Sequence, residues 1–285
     1  VEARLQRRVG PPLVQPLLDI AKLLTKETLI PKTAVRSVFL AAPVVGFAGM
    51  AVCAAFIPVP GVFDGLYNMG DLLVLFYLLP IPAIAIMLGG SASSSPFGAI
   101  GFSREMLMML AYETPLLMIL LAVAMLVGKA TGAEFSLLAI VDWQQGAGSL
   151  GFNPVMIPAL LAYLIFLPGT MGVPPFDIPE AETEVLEGPL LEYGGPLLAL
   201  FQIGSALKTF VVLGLGVALF FPGTISDFWI VNLIWFVFKC LVLMLLSLTL
   251  VKSATGRFRI DQAFRFYVKV PTALALVSLV LVWAL

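Results

Sequence analysis

Seven long apolar runs divide the chain, at about 37–57, 70–92, 105–128, 153–171, 197–221, 228–251 and 270–285, each ending in polar residues or in Gly/Pro punctuation. Coiled into helices, runs of about twenty residues match the ~30 Å hydrocarbon core of a bilayer. Their interiors do not alternate polar with apolar positions, as "LVLMLLSLTLV" illustrates, so they do not fit the strands of a transmembrane barrel. The pattern predicts an all-α polytopic transmembrane bundle, with residues 1–285 forming a single membrane domain. A weaker stretch, "EFSLLAIVDWQQ" at 134–145, reads as an interfacial amphipathic helix with Trp143 at the headgroup level. No internal repeat is visible.

Composition agrees with the pattern, since 12% of residues are charged where soluble domains carry about 25%. Alternation of the spans places segments 1–36, 93–104, 172–196 and 252–269 on one side. Thirteen of the sixteen Lys and Arg residues fall in those four segments; Lys129 falls on the other side, and Lys208 and Lys239 fall inside spans. The positive-inside rule then makes that side cytoplasmic and the chain an integral protein of the cytoplasmic (inner) membrane. The chain has no histidine, and its two cysteines, Cys53 and Cys240, lie within apolar runs. His-ligated haem, His-based acid–base catalysis and a cysteine-held cluster are therefore excluded. No phosphate loop, nucleophile elbow or dinucleotide fingerprint occurs. The expectation is a chain with no catalytic, cofactor-binding or metal-ligating residues of its own, embedded in lipid and without a nucleic-acid partner. Residue 1 is Val and opens within a polar motif, which reads as the continuation of a preceding segment.

The charge that does not fit this scheme lies at 174–195, "PPFDIPEAETEVLEGPLLEYGG". Six of the seventeen acidic residues sit there, and no Lys or Arg occurs between Lys129 and Lys208. If "EAETEVLE" is helical, Glu180, Glu184 and Glu187 share a face and Glu182 turns away. A plain solvated loop is the simplest reading. The apolar residues between the acids (Phe176, Ile178, Val185, Leu186) and the basic segments on either side favour a packed loop instead. Clustered, partly buried carboxylates exchange protons near neutral pH, as solvated ones do not. Glu113, in "AYETPLL", and the two intramembrane lysines extend the theme, because charges at membrane depth are expensive and normally face the bundle interior. The sequence thus outlines a proton path through Glu113, Glu180, Glu182, Glu184, Glu187, Glu192, Lys208 and Lys239. The N-terminal segment mixes Arg4, Arg7, Arg8, Lys22 and Lys26 with Glu2, Asp19 and Glu27, and "GRFRIDQAFRF" (256–266) is a compact Arg/Asp loop. Either segment alone would pass as a basic anchor for anionic headgroups.

Four motifs, "RLQRRVGPP…QPLLDIAKLLTKE", "AYETPL", "PPFDIPEAETEVLEGPLLEYGG" and "GRFRIDQ", stand in the order and spacing of one membrane subunit. The chain resembles the H-type subunit of respiratory complex I and its homologues in energy-converting, membrane-bound [NiFe]-hydrogenases and sulfane reductases. That resemblance implies a subunit at the junction of a soluble redox arm and a membrane arm, with the acidic loop and intramembrane glutamates linking electron transfer to ion translocation. It adds Asp177 to the proton path and places Arg4, Arg7, Arg8, Asp19, Arg257, Arg259 and Asp261 against the soluble arm. It also implies an eighth span ahead of residue 1, a [NiFe] centre and iron–sulfur clusters in partner subunits, and antiporter-like membrane partners. The stretch "EYGGPLLALFQIGSALKTFVVLGLGVALFFP" looks more like the hydrogenase and sulfane-reductase branch than the quinone-reducing one. The leading expectation is therefore a coupling subunit of a ferredoxin-linked complex with hydrogenase-like large and small subunits and an iron–sulfur protein. The alternatives are a quinone-chamber subunit of NADH:quinone oxidoreductase and a stand-alone secondary transporter. The lack of visible inverted repeats weighs against the last of these.

Overall fold

The computed structural model describes the chain except for Val1, Leu13, residues 67–70, 133–134, Glu180, 182–184, Glu187 and Leu285, and except for the side chains of Glu2 and Arg4. A short turn, α1 (Glu2–Leu5), and an amphipathic helix, α2 (Gln15–Leu24), precede the bundle. There follow α3 (Arg36–Phe56), α4 (Asp71–Leu78), α5 (Ile81–Ala92), α6 (Pro96–Thr131), α7 (Leu137–Ala147) and α8 (Ile157–Thr170). Beyond the acidic loop come α9 (Gly195–Phe220), α10 (Trp229–Ala254, with a π turn at Leu245–Thr249) and α11 (Ile260–Ala284). Six helical segments among the described residues are long and apolar enough to cross a membrane, α4 and α5 together counting as one, and α8 is a shorter apolar helix of 14 residues. The molecule is the polytopic helical bundle the hydropathy pattern predicts.

Two boundaries differ from those the hydropathy pattern predicts. The expected loop 93–104 is mostly helix, because α6 begins at Pro96 and runs for 36 residues. Proline at the first helical turn needs no N–H partner, so "SPFG" starts the helix well before the apolar run does. At 1.5 Å per residue α6 is about 54 Å long and exceeds the ~30 Å hydrocarbon core, so its first turns can carry Arg104 and Glu105. It stops at Gly132, whose φ of 71° places it in the left-handed region and whose N–H returns to the carbonyl of Gly128. Likewise α11 starts at Ile260, so the expected loop 252–269 shrinks to a connection of a few residues.

α6 is the axis of the bundle and packs against α5, α8 and α11, while α3 packs on α5 and α9. The short α8 is buried among these helices and held by hydroxyls. Tyr163 donates to Val212 O at 2.5 Å, Tyr267 to Ile165 O at 2.8 Å and Ser278 to Val155 O at 2.9 Å. Pro168 has no N–H to offer the carbonyl of Leu164, four residues back, and Ser247 in the π turn of α10 donates to that carbonyl at 2.6 Å.

The stretch expected to lie at the interface forms α7, but it is part of the bundle. Leu137, Ile140, Val141 and Gln144 are buried, and Trp143 packs half-buried against the same core. Gln144 Nε2 donates to Ala218 O (3.2 Å) and Leu219 O (3.1 Å), carbonyls at the C-terminal end of α9 that lack helical partners. The apolar face of this helix finds protein, so it is not left to headgroups.

Candidate functional site

Hydrogen bonds join segments 1–36, 93–104, 172–196 and 252–269 at one end of the bundle. Val35 N–H bonds Ala92 O at 2.9 Å, Ser94 donates to Thr33 O at 2.9 Å and Arg104 reaches Ile178 O at 3.4 Å. Phe258 N–H bonds Pro175 O at 3.1 Å. The opposite end carries Lys129, bonded to Val282 O at 2.8 Å.

The acidic loop is built into this face. Phe176, 3% exposed, packs in an aromatic nest, its ring centroid 4.8 Å from Tyr267, 5.6 Å from Phe258 and 5.8 Å from Phe266. Ile178, Ala181 and Val185 are buried as well. Gly188 turns the chain at φ 51°, where an added Cβ would lie 2.3 Å from Pro179 O, and the next residue, Pro189, wedges between helices. A Cβ on Gly101 of α6 would stand 2.4 Å from the Pro189 ring, and one on Gly90 of α5 would stand 2.7 Å from it. At the loop's end Tyr193 stacks on Phe39 (centroids 4.1 Å apart) and donates to Phe39 O at 3.0 Å. Burial pushes the Tyr193 phenol above its usual range, so it stays a donor at any physiological pH.

Behind the loop lies a cavity of about 360 Å³. Phe47 of α3, Ile86 of α5, Thr170 at the end of α8, and Asp177 and Pro179 of the loop line it, with Gln202, Ser205 and Lys208 of α9. Glu105 of α6 completes the wall. Lys208 is 8% exposed, and its Nζ lies 6.0 Å from the ring centre of Tyr112. Glu105 and Glu113 both lie in the field of this one lysine and close enough to repel each other. Tyr112 Oη sits between Glu105 and Thr170. Yet Tyr112 Oη, Thr170 Oγ1 and Glu113 Oε1 are buried with no hydrogen-bond partner among the described residues. Buried polar atoms that lack protein partners are normally satisfied by water, and this set runs from the cavity wall into the membrane part of α6.

The structure therefore groups some of the expected site residues and separates others. Lys208 and Asp177 come together in the cavity wall, while Glu113 lies further along α6, outside that wall and within the field of Lys208. Lys239 does not; its Nζ donates to Phe221 O (2.6 Å) and Gly223 O (2.8 Å), where a cation suits the C-terminal end of α9. Asp177 and Arg257, expected to serve proton transfer and arm contact respectively, are paired with each other. Arg257 Nε donates to Asp177 Oδ1 at 2.9 Å, and Nη2 forms an ion pair with Oδ2. The acidic loop is thus not wholly uncompensated at Asp177, and Glu192 is exposed. Glu180, Glu182, Glu184 and Glu187 lie outside the described residues, as does the side chain of Arg4. Arg7, Arg8, Arg259 and Asp261 are exposed on the loop face; Arg8 bonds the Gln6 side chain, and Asp19 accepts from Gln15 at 3.0 Å. Among the described residues no group of three metal-ligating side chains occurs. In the sequence Arg104 and Glu105 mark only the end of an apolar run; their helical spacing from Tyr112 and Glu113 is the signal that could have found them.

Such a bundle, with a carboxylate-and-lysine cavity beneath one loop face, defines a polytopic helical membrane protein. The pattern of the NADH dehydrogenase family matches residues 1–283, and the chain belongs to that family. It is 34% identical over 296 residues to the H subunit of NADH-quinone oxidoreductase from Syntrophotalea carbinolica, covering 97% of this chain and 85% of the relative. It is 35% identical over 266 residues to the corresponding protein of Rubrobacter xylanophilus, covering 90% and 77%. Among solved structures, a chain from the membrane-bound sulfane sulfur reductase, an archaeal respiratory membrane complex, superposes with a TM-score of 0.89 at 30% identity. The match covers 98% of this chain and 90% of that one. The chain is thus homologous to membrane subunits of respiratory oxidoreductase complexes.

Proposed function

We propose that this chain is the coupling subunit of a multi-subunit oxidoreductase of the cytoplasmic membrane. Electron transfer in a soluble module docked on its loop face would drive ion translocation through its buried charges. The observation that carries the reading is the cavity itself. It lies beneath the loop at Asp177 and is lined by Glu105, Lys208 and the buried Thr170. A change of charge in the docked module alters the relative stability of the protonated and ionised carboxylates, and only such a differential interaction can move protons. In this reading the module is ferredoxin-linked and hydrogenase-type, with a [NiFe] or related centre and iron–sulfur clusters, alongside antiporter-like membrane partners; the resemblance to the sulfane sulfur reductase chain supports a respiratory membrane complex. A second reading, a quinone-chamber subunit, is favoured by the two bacterial relatives, both of them H subunits of an NADH-quinone oxidoreductase.

The test is purification of the complex through this chain, followed by reconstitution in vesicles. Energised by reduced ferredoxin or NADH, the vesicles are expected to acidify or to accumulate sodium in step with electron transfer. Nickel in the preparation and indifference to quinone-site inhibitors support the first reading; inhibition by quinone analogues supports the second. Ion transport by the isolated chain without electron transfer contradicts both.

A further inference from the structure

An apolar groove of about 440 Å³ runs along the outer side of α3 and α5, on the faces turned away from the cavity beneath the acidic loop. The small side chains of Ala41, Ala42 and Ala85 open it between larger neighbours, Val38 and Val45 on α3 and Ile84 and Leu88 on α5. Those four larger residues are 38–54% exposed, so the groove faces outward. It runs from Ser37 to Val45, eight residues or about 12 Å of helix rise, against about 15 Å for half of a hydrocarbon core. Beyond Val45 the two helices close on each other: a Cβ on Gly49 would lie 2.6 Å from Ile81 Cγ2. The groove therefore occupies the loop-side leaflet alone. A transmembrane helix of a partner would need a seat through both leaflets, whereas an acyl chain descending from the loop-side headgroups needs only one. The charge at the groove's mouth fits such a lipid. Lys32 and Arg36 are exposed there, and side chains at a helix start lean back beyond its end. No acidic residue occurs between Glu27 and Asp64 or between Asp71 and Glu105, so the two helices and their loop-side turns offer bases without acids. The first turn of α3 also lacks a side-chain cap, which suits a phosphate.

We propose that the groove between α3 and α5 holds one acyl chain of an anionic phospholipid from the loop-side leaflet, with the headgroup phosphate resting at Lys32 and Arg36. The alanines receive the chain and the two bases select the headgroup, so a neutral lipid with the same chains is held less tightly. Phe47 and Ile86, on the other sides of the same two helices, line the cavity beneath the loop. The bound chain thus backs the cavity wall from the lipid side. This site stands apart from the coupling role and holds whichever module docks on the loop face.

The experiment reconstitutes the intact complex in phosphatidylcholine vesicles that carry a trace of lipid with a photoactivatable diazirine in its acyl chain. The probe is phosphatidylglycerol in one set and phosphatidylcholine in the other, and the labelled residues are located by mass spectrometry after illumination. Two bases beside an anionic headgroup predict that phosphatidylglycerol labels residues 37–45 and 81–88 about tenfold or more above phosphatidylcholine. Lys32→Gln/Arg36→Gln should bring phosphatidylglycerol down to the phosphatidylcholine level. Ala41→Phe, which fills the groove from an exposed position, should remove labelling of these residues by either lipid. Electron transfer at the parent rate shows that each variant is assembled, and the exposed double Gln variant keeps the test decisive if Ala41→Phe does not assemble. Equal labelling by the two lipids in the parent complex overturns the site, as does undiminished phosphatidylglycerol labelling in Lys32→Gln/Arg36→Gln. No labelling of residues 37–45 and 81–88 in the parent also overturns it, and chemical cross-links from these residues to another subunit would then assign the groove to a protein helix.

Discussion

Four helices carry an internal proline, and in three of them a hydroxyl supplies the donor that the carbonyl four residues back has lost. Pro43 frees Phe39 O for Tyr193, Pro168 frees Leu164 O for Ser247, and Pro271 frees Tyr267 O for Thr272 at 2.8 Å. In a bilayer no water stands by to repair such a break, so the hydroxyl is a structural requirement. Tyr193→Phe should therefore lower stability by about 1–2 kcal/mol, the cost of leaving a buried carbonyl without its donor. The checking measurement is the thermal unfolding midpoint of the detergent-solubilised complex. Lys239→Met should likewise destabilise the end of α9, while leaving the ratio of ions to electrons unchanged, because its ammonium serves Phe221 and Gly223 and lies outside the cavity wall. Depth in an apolar run is the only criterion a sequence offers for such a lysine, and it puts Lys239 in the proton path. It cannot show that a flexible four-carbon stem reaches back to a helix end.

At the scale of elements, the loop 172–196 is held by shape as much as by charge. Phe176 fills the nest of Phe258, Phe266 and Tyr267, and Pro189 fits between α5 and α6 only because Gly90 and Gly101 have no side chains. Phe176→Ala should cost about 3–5 kcal/mol of local packing. It should also make the loop a target for limited proteolysis that the parent complex resists. Gly101→Val should act similarly, by pushing Pro189 out. The apolar residues between the acids make a packed loop legible from sequence alone. The anchors are not legible there, because they lie some eighty residues away in "RFRIDQAFRF" and become neighbours only when α8, α10 and α11 assemble. Helix starts escape the hydropathy pattern for a related reason. Hydropathy marks where the lipid-facing part ends, whereas α6 and α11 continue past that point through Arg104–Glu105 and Asp261–Lys269.

For the whole molecule, the seven apolar runs and the one-sided distribution of basic residues are enough to lay out the bundle, and the convergence of the four loop segments at one end follows from their alternation. Which charges meet inside is only partly legible. Glu113 and Lys208 stand out as charges in lipid-length runs, but Glu105 is the first residue of its run and draws no notice there until α6 is seen to begin at Pro96. The assembled picture is a scaffold that brings Lys208, Glu105 and Asp177 to one cavity beneath the loop face, with Glu113 further along α6. The most direct test of that picture compares Glu113→Gln with the parent complex in sealed vesicles, recording electron transfer and ion uptake at the same time. The account predicts that electron transfer continues while ion uptake per electron falls to the background of ionophore-treated vesicles. Uptake per electron equal to that of the parent complex would contradict it.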